Sequence, residues 1–218
     1  MTSPFTVLLA TTNRGKLVEL QALFGDIGVD LVSLSTLPGK HPPVIEDGDT
    51  FLANALLKAN AAAQRTGMVT IAEDSGLEVD ALGGRPGVFS ARFAKEGATD
   101  AENNARLLKE LEDVTDDLRA ARFRCTMVLV DPWSTGEPIV TEGRCEGSIL
   151  RAARGHGGFG YDPLFLVDGQ EVTMAELGDF KKNQLSHRAR AARAMRPHLL
   201  SLVESRMREA NQLLRGAP

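Results

Sequence analysis

Two periodicities organise the apolar positions of the chain. Aliphatic, β-prone runs at 5–10, 29–34 and 68–72 read as buried strands, whereas 14–24 places Leu17, Leu20, Leu23 and Phe24 on one face of a helix. A second helix is predicted over 50–66, with Phe51, Ala55, Leu56, Ala59 and Ala63 inward and Asp49 or Thr50 as its cap. A third covers 99–112, capped by Thr99 or Asp100, and carries no assigned chemistry. A short helical turn at 174–177 precedes a long last helix, which Ser186 caps, which runs to about residue 214 and which Pro197 should bend or split. Strands at 121–130 and 139–150 bracket 132–138 and predict an antiparallel hairpin. With its loop centred on Thr135, facing residues carry numbers summing to about 270, which sets Cys125 opposite Cys145. Strands alternating with helices place the chain in the α/β class.

The polar breaks in this pattern are where chemistry is expected. In 68–76, MVTIAEDSG, an apolar strand ends in Glu73, Asp74 and Ser75, and α/β proteins bind ligands beside the carboxyl ends of such strands. Adjacent strand side chains point to opposite faces, so Glu73 and Asp74 share a ligand only if the chain bends, and Ser75-Gly76 is the natural bend. A polar strand end before a turn is the plainer reading of the same residues.

The first strand joins its helix through Thr11, Thr12, Asn13, Arg14, Gly15 and Lys16, a loop that aims helix-end amides and one lysine at a phosphate. It lacks the GxxxxGK[ST] spacing of a P-loop, and Asn13 also serves as a helix cap. Glu46 stands just outside the second helix and becomes a metal ligand only if the fold brings it to Asp74. Near the far end, GHGGFGYDP brings backbone close to a ligand and presents Phe159 and Tyr161, flat faces that suit a purine. It is no dinucleotide fingerprint, because it does not join a first strand to its crossover helix. Lys181, Lys182, His187, Arg188, Arg190, Arg193 and Arg196 then cluster around the start of the last helix; a solvated face accounts for most of them.

Charge and composition narrow the partners. The formal net charge is -4, which argues against a nucleic-acid polymer, while the local basic cluster still suits one polyanionic small molecule. The amino-terminal stretch has no basic region before its short apolar run, so neither a signal peptide nor a membrane partner is expected, and the cytoplasm is the expected compartment. Two cysteines without CxxC spacing are expected to be reduced packing thiols, not a zinc site.

Six separated motifs in order, TTNRGK, DTFLANALLKA, AEDSG, GGRPGVFSAR, GGFGYDP and SHR, give a chain that resembles the inosine and xanthosine triphosphate pyrophosphatases. That resemblance implies one domain spanning 1–218 with a mixed β-sheet, flanking helices and a nucleotide cleft between two lobes. It further implies Mg²⁺ dependence, a homodimer, and hydrolysis of ITP, dITP or XTP to the monophosphate and pyrophosphate. By the same resemblance Asp74 is the catalytic carboxylate and a metal ligand, and Glu46 is the second metal ligand. Thr11, Thr12, Asn13, Arg14, Gly15, Lys16 and Ser75 form the phosphate cradle. Phe159, Gly160, Tyr161, Asp162, Lys182, His187 and Arg188 form the base and sugar pocket. Lys58 and Glu73 match less distinctive positions. Ala53 departs from the acid common in the helix motif of the family. A pyrophosphatase for pyrimidine or modified nucleotides, and a nucleotide-binding protein without turnover, are the competing expectations.

Overall fold

A computed structural model of the chain describes residues 5–39, 42 and 44–216, so three residues of the proline-rich segment at 38–43 lie outside the described residues. In chain order the elements are β1 (Phe5–Leu9), α1 (Arg14–Phe24), β2 (Val29–Ser33), α2 (Phe51–Thr66), β3 (Thr70–Val79) and α3 (Asp100–Glu110). They continue with β4 (Ala120–Val130), β5 (Ile139–Ile149), β6 (Phe165–Val167), α4 (Asp179–Leu185) and α5 (His187–Gly216). The strands make one mixed sheet in the order β2-β1-β3-β4-β5-β6, parallel across β2, β1 and β3 and antiparallel from β3 onward.

The helices form where their ends are chemically closed. Thr50 Oγ1 accepts the Ala53 amide at 3.1 Å to start α2, and Gly67, at φ 65°, stops it in a left-handed turn that L side chains disfavour. Thr99 and Glu102 close the start of α3 with a reciprocal capping box. On one face of the sheet Leu20 and Phe24 of α1 and Ala192, Met195 and Leu199 of α5 bury against Val7, Ile71 and Met127. On the other, Ala55, Ala59 and Ala62 of α2 meet Leu8, Ala72 and Val128, small residues that let the helix ride close to the strands. A separate cluster around Leu77, Leu107, Phe123 and Phe165 fills the β3–β5 end. α5 continues through Pro197 as one helix, and Met195, Leu199 and Val203 stay in the core on both sides of it.

Two expectations are corrected. The acidic residues do not end their strand: β3 runs ten residues and its ladder with β4 is continuous through Glu73↔Met127, Asp74↔Thr126 and Gly76↔Arg124. β1, by contrast, pairs with β3 only at Thr70 and Ile71, so Glu73 and Asp74 lie where β3 has outrun its parallel neighbour. Gly76 is there for close approach, not for a bend, because a Cβ would fall 2.4 Å from the Gly87 carbonyl and 2.5 Å from Ser90 Oγ. The hairpin forms, but its register places Cys125 opposite Gly143 and Phe123 opposite Cys145. The shift of two residues keeps both cysteines on the same face. It also puts a glycine where α5 begins, since a Cβ at Gly143 would meet the His187 carbonyl at 2.1 Å and the Ala191 amide at 2.5 Å. Both cysteines are buried free thiols.

Candidate active site

A cavity of about 320 Å³ opens along β3 beyond the end of β1. Thr11, Thr12, Asn13 and Lys16 line it from the start of α1, Glu46 from the loop before α2, and Asp74 and Ser75 from β3. Phe159, Gly160, Tyr161 and Asp162 line it from the glycine-rich loop, and Lys182, His187 and Arg188 from α4 and the start of α5. Arg14 and Gly15 lie outside this lining. Lys58 of α2, Glu73, and Arg92, Asp100 and Asn103 from the segments packed over β3 also line it.

Because adjacent strand residues alternate faces, the two acids serve different networks. Asp74 looks toward α2: its Oδ1 accepts from Lys58 Nζ at 2.9 Å and its Oδ2 from Asn54 Nδ2 at 3.3 Å. Lys58 Nζ also donates to Glu46 Oε2 at 2.6 Å, so both carboxylates converge on one ammonium. Asn54 and Lys58 are four residues apart, one above the other on the helix face that covers the strand. Asn54 Oδ1 in turn accepts the Gly48 amide at 2.8 Å, which ties the Glu46 loop to the first turn of α2. Residue 48 is a glycine for this reason, since a Cβ there would come 2.7 Å from both Asn54 Oδ1 and the Ala53 Cβ. Burial raises the Asp74 pKa more than Lys58 and Lys16 lower it, and the Glu46 charge adds to the rise. Glu46 feels burial too, but Lys58 reverses it and holds that carboxyl below its ordinary value.

Glu73 looks the other way and is buried. Its Oε1 accepts from Arg188 Nε at 2.9 Å and pairs with Lys16 Nζ at 3.1 Å, and its Oε2 accepts from the Cys125 thiol at 2.8 Å. Burial alone would raise its pKa; Arg188 and Lys16 outweigh that and hold it well below the usual carboxylate range. Ser75 shares this face and accepts from Arg188 Nη2 at 3.1 Å. The charges continue in alternation: Arg188 pairs with Glu19, Glu19 with Lys182 at 2.7 Å, and Lys182 with Asp162 at 2.8 Å. Sequence reasoning missed Glu19, although its position one turn after Lys16 places both on one face of α1.

The glycine-rich loop lands on this chain of charges. The Phe159 ring lies 5.0 Å from Lys182 Nζ and 5.5 Å from the Arg188 guanidinium carbon. Gly15 makes room for it, because a Cβ there would come 2.8 Å from the ring. Asp162 Oδ2 accepts the Phe159 amide at 3.0 Å, and the Tyr161 hydroxyl donates to the Ser90 carbonyl at 2.8 Å, so Tyr161 anchors the loop. His187 is buried and stacks on Phe123 at 4.8 Å, and its Nδ1 has no hydrogen-bond partner among the described residues. Burial, reinforced by Arg188, holds the imidazole well below its usual value and therefore neutral at pH 7. At the other end Asn13 Oδ1 caps α1 by accepting the Lys16 amide at 3.0 Å, which leaves the Arg14 and Gly15 amides without an intrahelical acceptor.

Residues 7–198 match the model of the Ham1 family. The chain belongs to that family. It is 52% identical over 185 residues to a dITP/XTP pyrophosphatase of Desulforamulus reducens, an alignment covering 85% of this chain and 90% of the relative. Its fold is similar to that of a HAM1 protein from Coxiella burnetii, with a TM-score of 0.82, 39% identity, and coverage of 90% of this chain and 99% of the other. It is also similar to a nucleoside-triphosphatase / dITP/XTP pyrophosphatase from Mycobacterium abscessus, with a TM-score of 0.70, 45% identity, and coverage of 88% and 100%. Shared over most of its length, the family likeness extends through every element that lines the cavity.

Proposed function

We propose that this protein hydrolyses the deaminated purine nucleotides ITP, dITP and XTP to the monophosphate and pyrophosphate with Mg²⁺, which keeps them out of DNA and RNA. The observation that carries the reading is the convergence of Asp74 and Glu46 on one cationic point, at 2.9 and 2.6 Å from Lys58 Nζ, within the cavity that Phe159 also lines. The activity named for the relatives supports the reaction.

The donor set fits Mg²⁺, which takes oxygen ligands and is commonly held by one or two carboxylates plus substrate phosphates. Glu46 and Asp74 would hold it. When bound, it supplies charge neutralisation on the phosphate oxygens. The chain provides the rest. Asp74, its basicity raised by burial, orients a water and takes its proton as the water oxygen bonds to the α-phosphorus; the bond to the bridging oxygen breaks and the β,γ unit leaves as pyrophosphate. Lys58 compensates the charge of the carboxylate pair, while Lys16 and the Thr11, Thr12 and Asn13 loop at the start of α1 hold phosphate oxygens.

At the base end, the donors of Lys182 and Arg188 match O6 and N7 of a deaminated purine, whereas the N6 amino group of adenine sets donor against donor. We further propose that the 218 residues act as one domain whose two lobes flank the cavity, as a cytoplasmic homodimer. Among the described residues no helix is long and apolar enough to cross a membrane. Pyrophosphate release from ITP, dITP, XTP, ATP, GTP and dTTP, with and without Mg²⁺, tests the reading. Preference for the three deaminated purines, lost on chelation, is the expected result; preference for dTTP moves the enzyme to pyrimidine nucleotides, and binding of ITP without turnover makes it a sensor. Light scattering of the purified protein tests the dimer.

A further inference from the structure

We infer that Asp100 and Asn104, on the helix to which the sequence assigns no chemistry, are positioning residues for purine recognition. Both act on Gly160 of the glycine-rich loop, one on each of the two peptide groups that flank its Cα. Asp100 Oδ2 accepts the Gly160 amide at 2.7 Å, and Asn104 Nδ2 donates to the Gly160 carbonyl at 2.8 Å. The second proton of the Asn104 amide goes to the Asp100 carbonyl at 2.9 Å, so the side chain is fixed by two acceptors at once.

Gly160 has φ 62°, a left-handed conformation open mainly to glycine, and glycine also has the widest choice of other conformations. Here both polar groups of the residue that follows Phe159 are fastened to the first turns of α3. Those turns are themselves rigid. The Thr99–Glu102 capping box closes the helix, and Asn103 ties it to the segment over β3 by accepting the Ala94 amide at 2.9 Å and donating to the Ala91 carbonyl at 3.1 Å. Asp100, which itself lines the cavity, and Asn104 therefore set the plane of the Phe159 ring against Gly15, Lys182 and Arg188 through the backbone of Gly160. Helix α3 transmits position, not charge.

The inference rests on the placement of the purine beside Phe159, and the test separates the two. Steady-state kinetics with ITP are measured for Asp100→Ala, Asn104→Asp and Phe159→Ala, and for each of the first two combined with Phe159→Ala. Asp100→Ala removes the acceptor, and Asn104→Asp sets a carboxylate against a carbonyl. Each is expected to raise KM about three- to tenfold with kcat within about twofold, as the loss of one hydrogen bond requires. Asp100→Asn, which keeps an acceptor oxygen, restores KM to near the wild-type value. In the Phe159→Ala background the same changes add nothing, because the ring they position is gone. A Phe159→Ala variant with wild-type KM overturns the placement of the base and the inference with it. If Phe159→Ala raises KM while Asp100→Ala and Asn104→Asp leave it unchanged, lower kcat instead, or add in full to Phe159→Ala, the clamp is refuted and the base placement stands.

Discussion

Glu73 and Asp74 are consecutive residues of β3 whose carboxylates face away from each other. Asp74 meets Lys58 at 2.9 Å on the α2 side, and Glu73 meets Arg188 at 2.9 Å on the α5 side. Under the proposed function one acid faces the chemistry, and the other is the buried counter-ion of Arg188 and Lys16. Their isosteric amides should therefore fail in different ways. Asp74→Asn is expected to lower kcat for ITP by about 10²- to 10⁴-fold, the range for loss of a general base, with the melting temperature nearly unchanged. Glu73→Gln strands Arg188 and Lys16 beside a neutral group and should cost about 3 kcal/mol of folding stability. Urea unfolding and kinetics on both variants check this, and a stable, inactive Glu73→Gln would reverse the two roles.

His187 makes stability depend on pH in a defined window. Its imidazole is buried neutral, with a pKa held well below the ordinary value, so the unfolded chain binds a proton there before the folded chain does. Stability from this group is complete above about pH 6.5 and is lost as pH falls, by about 1 kcal/mol between pH 6.5 and 5.5. Urea unfolding at pH 7.5, 6.5 and 5.5 should show that loss in the wild type and a correspondingly flatter profile in His187→Gln. Parallel profiles in the two proteins would remove His187 as the source.

In the proposed reading Arg188 carries the discrimination at the base. Arg188→Lys keeps the charge but loses the fork that joins Glu73, Glu19 and Ser75, so kcat/KM for ITP should fall about tenfold further than for ATP. Phe159→Ala should weaken all purines similarly, because it removes a stacking face and not a donor. Equal losses for ITP and ATP in Arg188→Lys would assign the arginine to the fold.

Gly15 is spacing for the aromatic ring. Gly15→Ala puts a methyl group 2.8 Å from Phe159 and should displace the ring, raising KM for ITP several-fold while α1, which gains helix propensity, is not destabilised. Thermal unfolding beside KM measurements decides it. An unchanged KM would mean that the ring has room to yield.

Local signals carried what is local. The apolar periods located the long elements, and Thr50 and Thr99 cap their helices as their residue types require, because a cap depends on only a few neighbours in the chain. Lys16, Asp74, Phe159 and Arg188, each picked out by its motif, line one cavity. The tertiary structure alone decided which residues meet. Whether β3 stops at Asp74 or runs on to Val79 depends on its ladder with β4, some fifty residues away, and no local residue reports that pairing. The hairpin register, which sets Gly143 and not Cys145 opposite Cys125, also places that glycine beneath the start of α5, a contact that no residue near the turn reports. Glu19, Asp100 and Asn104 read in the chain as ordinary polar helix positions. Their contacts span 163, 60 and 56 residues of sequence, a separation at which only packing, and no periodicity, brings a carboxylate to a lysine or an amide to a glycine.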